Sequence, residues 1–71
     1  MSVNICLSEQ LARRRLSIVE LSDRTGIAVR HLELLRDQKA VAVRLRTLES
    51  LCRALNCTPG DLLVIRNEDE G

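Results

Sequence analysis

The residues with chemistry to offer in this 71-residue chain are mostly basic, and one short run, Val29-Arg30-His31-Leu32-Glu33-Leu34-Leu35, sets them out in a pattern. On a helix, Leu32 and Leu35 share one apolar face at i, i+3 spacing. Val29, Arg30, Glu33 and Leu34 then turn outward, with His31 toward the flank. A guanidinium held this way can donate two parallel bonds to guanine O6 and N7, and a valine can touch a thymine methyl. A carboxylate there can accept from cytosine N4, or repel phosphates and sharpen placement. Nothing comparable supports catalysis. The chain has one histidine, no paired carboxylates in an expected pocket, no glycine-rich phosphate loop and no nucleophile–base constellation, so an enzyme is not expected. Cys6, Cys52 and Cys57 are an odd set without metal-ligand spacing. They read as reduced, small core residues of a cytoplasmic protein, with neither metal nor cofactor.

The elements that must position such a helix are legible around it. Ser17 followed by Glu20 is a capping box and marks a helix start. Leu21, Ser22 and Thr25 lie on one face of that helix, and Ser22 is small where two helices must cross closely. Gly26 can take a positive φ and end the helix sharply, and Ile27 is an apolar anchor for the bend. A second helix follows from Val29 to about Asp37, with Ala28 as a poor cap and Gln38 standing where glycine would end it most easily. Residues of about 18–37 therefore spell a helix-turn-helix.

Taken in order, Val3-Asn4-Ile5 alternates as a short edge strand would. Ser8 can cap a first helix to about Arg15, with Leu7 and Leu11 inward. Arg13, Arg14 and Arg15 fan around that helix as a solvated surface. Lys39–Arg44 reads as a loop, and a fourth helix runs from Thr47 to about Leu55, packing through Leu48, Leu51, Cys52 and Leu55. Thr58-Pro59-Gly60-Asp61 is a second capping box with proline at the first helical position, opening a short fifth helix that carries Leu62 and Leu63 inward. Val64-Ile65 can pair with Val3–Ile5 in a two-stranded ribbon joining the N- and C-terminal ends. The fold expected is all-α with five helices, one domain over 1–66 and an acidic, disordered tail at 67–71. Its core must be built without aromatic residues, which also argues against base-stacking modes of single-strand binding. Net charge is +1, but setting aside Glu68, Asp69 and Glu70 leaves 11 basic side chains against 7 acidic, a mildly basic body. The apolar run Leu62–Ile65 is far too short to span a membrane.

Five short helices in this arrangement, with Leu21, Gly26, Ile27, Leu32 and Leu35 in register and Cys52–Leu63 reading Cys-Arg-Ala-Leu-Asn-Cys-Thr-Pro-Gly-Asp-Leu-Leu, resemble the Cro/repressor-type (XRE-like, lambda-repressor-like) helix-turn-helix family from about Leu7 to Leu63. The resemblance implies sequence-specific binding of double-stranded DNA as a homodimer in transcriptional control, as a repressor for example. It places the third helix in the major groove, and Lys39, Arg44 and Arg46, with His31 at the flank, against backbone phosphates. N–H groups near Ser17 and Ile18 can hold a further phosphate. Ile18 and Val29 stand where many relatives carry glutamine, and Leu34 is apolar where polar residues are usual. Those three side chains define the alternative: a protein-interaction module, anti-activator or antitoxin-like, using the same surface for a protein partner.

Overall fold

Leucines at helical spacing build the interior. Leu7 and Leu11, Leu32 and Leu35, and Leu48, Leu51 and Leu55 are buried in one cluster with Leu21 and Leu62. They are carried by α1 (Leu7–Arg14), α2 (Ile18–Thr25), α3 (Val29–Arg36), α4 (Leu45–Leu55) and α5 (Pro59–Leu62), flanked by β1 (Ser2–Ile5) and β2 (Leu63–Arg66). The computed structural model describes residues 2–66; the expected acidic tail at 67–71 lies outside the described residues. Each leucine removed from water stabilises the fold by roughly 1.5–3 kcal/mol, and Ile5, Ile18, Ile27, Val43 and Leu63 seal the margins of the cluster. No helix among the described residues is long and apolar enough to cross a membrane.

The expected ribbon forms and is longer than the sequence suggests. β1 and β2 pair antiparallel with Ser2 opposite Arg66 and Ile5 opposite Leu63, and the Cys6 N–H continues the zip by donating to Leu62 O at 2.7 Å. Alternation puts Val3, Ile5, Leu63 and Ile65 on one face. Ile5 and Leu63 pack against the leucine cluster, whereas Val3 and Ile65 overhang it, 63% and 66% exposed.

Three helices end in the same way, and the sequence does not advertise it. Arg15, Gln38 and Asn56 all have positive φ, at 52°, 62° and 52°. In each case the next N–H reaches back five residues: Leu16 to Leu11 O at 3.0 Å, Lys39 to Leu34 O at 2.9 Å and Cys57 to Cys52 O at 3.0 Å. Paired with the shorter bonds from Arg15, Gln38 and Asn56 to Ala12, Leu35 and Arg53, these are Schellman closures built on non-glycine residues.

Several boundaries differ from expectation. The cap position of α1 is Cys6 rather than Ser8, because the Cys6–Leu62 link of the ribbon fixes where the chain can turn. α3 ends at Arg36, one residue before Asp37, since the closure through Gln38 takes over. α4 starts at Leu45 rather than Thr47; the Leu48 N–H already reaches Arg44 O at 2.9 Å, and arginine and leucine propagate a helix better than β-branched threonine. Leu63 leaves α5 and opens β2. Gln10 is buried at 6% exposure; its amide donates to Asp61 O at 3.2 Å and its carbonyl accepts from Arg14, tying α1 to α5.

Candidate nucleic-acid interface

The turn between α2 and α3 is held by side chains as much as by backbone. At the start of α2 the Ser17 hydroxyl accepts from the Glu20 N–H at 3.1 Å, and the Glu20 carboxylate accepts from the Ser17 N–H at 3.0 Å. These bonds, the backbone one first, hold the Glu20 carboxyl below its ordinary range. At its end Gly26 takes φ +77° and its N–H returns to Ser22 O at 2.8 Å. The Ser22 hydroxyl then crosses the bend to donate to Ile27 O at 2.6 Å. Thr25 donates to Leu21 O at 2.8 Å and accepts from the Ile27 N–H at 3.1 Å. Ser22, expected as a small residue at a helix crossing, is a tie across the bend. Both hydroxyls were missed as ties; their placement three residues apart around a helix end was the available signal.

α3 sits on this turn with Leu32 and Leu35 fully buried. Arg30, His31, Glu33 and Leu34 are exposed along its outer side, and Val29 is half-buried. Leu34 is only marginally open at 38%, and Ile18 packs against the leucine cluster. The apolar patch of Ile18, Val29 and Leu34 is therefore smaller than the sequence suggests. Among the described residues no hydrogen-bonded ion pair engages Arg30, whereas Arg36 is taken by Asp37 at 2.9 Å and 3.2 Å.

The residues expected against phosphates are placed less uniformly. The Ser17 N–H already serves Glu20, which leaves the N–H groups of Ile18 and Val19 as those without an acceptor inside α2. Lys39 follows the α3 closure with its side chain exposed. Arg44, expected at the end of a loop, and Arg46, expected just before the fourth helix, instead occupy the cap and first turn of α4, both exposed. The first N–H groups of that 11-residue helix carry the positive end of its dipole, so two guanidiniums and a helix N-terminus share one corner. Its acidic counterweight is absent, for the first turn of α4 holds no carboxylate. α2 packs against both α3 and α4, so one helix fixes the outward helix and the basic corner together.

Comparison with known proteins bears on this geometry. Residues 6–68 match the Cro/C1-type HTH DNA-binding domain. The chain is 44% identical over 70 residues to a Bacillus subtilis (strain 168) protein described as the uncharacterized HTH-type transcriptional regulator YozG, covering 99% of this chain and 83% of that protein. No solved structure matches the chain.

Proposed function

Because the chain belongs to the Cro/C1-type HTH DNA-binding family, we propose that it is a transcriptional regulator that reads the major groove of specific duplex sites with α3. The observation that carries this reading is an exposed Arg30, free of any ion pair among the described residues, on a helix seated by buried Leu32 and Leu35. Arg30 pairs with a guanine, Val29 and Leu34 meet thymine methyls, and Glu33 accepts from a cytosine amine. Arg44 and Arg46 with the N-terminus of α4, Lys39, His31, and the Ile18 N–H at the start of α2 beside Ser17 hold phosphates and set the register. Repression by occupying the duplex is the simplest output of such contacts. The reduced apolar patch favours DNA over a protein partner on this surface.

The working unit in this reading is a homodimer whose two recognition helices lie about 34 Å apart on a pseudo-palindrome. Support comes from the ribbon. In an antiparallel pair alternate residues turn their backbone groups outward. On β1 the outward groups of Ile5 are already bound by the Gln38 amide, at 2.8 Å and 2.7 Å. On β2 the outward residues are Leu63, whose N–H already returns to Pro59 O, and Ile65, which is 66% exposed. Ile65 on the β2 edge is therefore offered to a second copy. Selection of random duplexes on the purified protein tests the function: enrichment of a half-site with affinity falling steeply with salt supports it. No enrichment, with saturable and salt-insensitive binding to a protein instead, replaces it with the interaction-module reading.

A further inference from the structure

The closures of α1 and α4 are the same backbone device with different side chains in contact. At such a closure the residue after the positive-φ position packs against the residue five before it. In α1 that pair is Leu11 and Leu16; in α4 it is Cys52 and Cys57, joined by the bond from Cys57 N–H to Cys52 O at 3.0 Å. That bond limits how far apart the two cysteines can lie: with standard bond lengths their Cα atoms are about 7 Å apart at most, against the 4.4–6.8 Å or so usual for a disulfide. Both are only half-buried, and both line an apolar groove of 430 Å³ with Leu45, Leu48, Arg53 and Pro59. Leu45 at the groove's rim is 83% exposed. Cys6 is buried at the start of α1 and lines no part of this groove.

We propose that Cys52 and Cys57 form a dithiol site that takes a low-molecular-weight disulfide and closes to an intramolecular disulfide. The thiolate of Cys57 attacks one sulfur of the incoming disulfide, and the other half leaves as a thiol. Cys52 then gives up its proton and attacks the Cys57 sulfur, expelling the second half. One protein S–S bond forms and two protein S–H bonds are lost, while the incoming disulfide is reduced to two thiols. Burial, and then the neighbouring Cys57, push the Cys52 thiol up from its ordinary range, which suits the resolving rather than the attacking role. The bond locks the last turn of α4 to the lead-in of α5, from which β2 continues.

The test uses the full chain, reduced and then incubated with glutathione disulfide. Intact mass is read after quenching, and peptides are read after tryptic cleavage without reduction. Arg53 lies between the two cysteines, so cleavage after it leaves two peptides joined by the new bond. Expected is a mass lower by two hydrogens, with no adduct retained and Cys6 still alkylatable. Cys52→Ser should instead keep a glutathione adduct on Cys57, because the resolving thiol is gone. A wild-type protein that retains its adduct overturns the proposal. So does a link involving Cys6 or a second chain, or native protein whose thiols stay unreacted while the urea-unfolded chain reacts. If Cys52→Ser does not fold, shown by lost helical circular dichroism, the wild-type peptide map alone decides.

Discussion

Gln38 joins two parts of the chain that lie 33 residues apart in sequence, and removing its amide should weaken the whole domain. Its Oε1 accepts from the Ile5 N–H at 2.8 Å and its Nε2 donates to Ile5 O at 2.7 Å, so the side chain pairs with β1 as a strand residue would. A hydrogen bond contributes about 0.5–1.5 kcal/mol net, and an exposed one falls in the lower half of that range. Gln38→Ala loses both, together with a third bond from Nε2 to Arg36 O at 3.2 Å, while keeping the positive φ, so a loss of about 1.5–3 kcal/mol is expected. Gln38→Gly loses the same bonds but relieves about 1 kcal/mol of left-handed backbone strain, and should lie between wild type and Gln38→Ala. In a domain of this size 1 kcal/mol moves the melting temperature by roughly 4–8 °C, well within reach of a circular-dichroism melt. An alanine variant as stable as wild type, or a glycine variant less stable than the alanine one, would refute the reasoning.

Leu35→Ala, at a site with no exposure, should cost about 2–5 kcal/mol by urea titration; a loss below 1 kcal/mol or so would mean α3 does not seat through it. Gly26→Ala should cost about 1–2 kcal/mol from φ alone, since a Cβ there meets nothing within 4 Å. A much larger loss would point to a clash the structure does not contain. The carboxyls of Glu20 and Asp61 are held below their ordinary range by the cap N–H groups of Ser17 and Thr58 respectively. A lowered folded value means their stabilisation is present above the unfolded carboxylate range near pH 4 and is lost as pH falls through the folded values. Glu20→Gln with Asp61→Asn should therefore flatten the acid limb of the urea midpoint against pH, and an unchanged limb would remove the caps from the account. Ile65→Asp should convert a dimer at tens of micromolar to monomer in light scattering; a wild-type monomer, with and without duplex, would sink the homodimer.

Local signals were the most legible. The Ser17–Glu20 and Thr58–Asp61 caps, Gly26 and the leucine spacing each act within a turn or two, and each forms in the structure. The helix ends at Arg15 and Gln38 were opaque, because residues that rarely take positive φ do so when the closure outweighs the strain, whereas Asn56 is a residue that adopts it more readily. Long-range ties were opaque for another reason: nothing near Gln10 or Gln38 in sequence names Asp61 or Ile5 as partner. At the candidate interface the outward set of α3 was readable from Leu32 and Leu35. How far Ile18 and Val29 tuck under depends on how α2 and α3 pack, which spacing alone does not specify. Arg44 and Arg46 looked like loop residues because Thr47 offered the more familiar helix start.

Arg30 lies in the first turn of α3 and Arg44 caps α4, so reading and holding can be separated by comparing two variants on one selected duplex. Binding isotherms of Arg30→Ala and Arg44→Ala, on the matched site and on single mismatches at several salt concentrations, make that comparison. Arg30→Ala should cost about 1–3 kcal/mol on the matched site and relax the preference at one base pair. Arg44→Ala should weaken all duplexes evenly and lower the salt slope by about one. Unchanged DNA affinity in both variants would contradict the proposed reading of the major groove by α3.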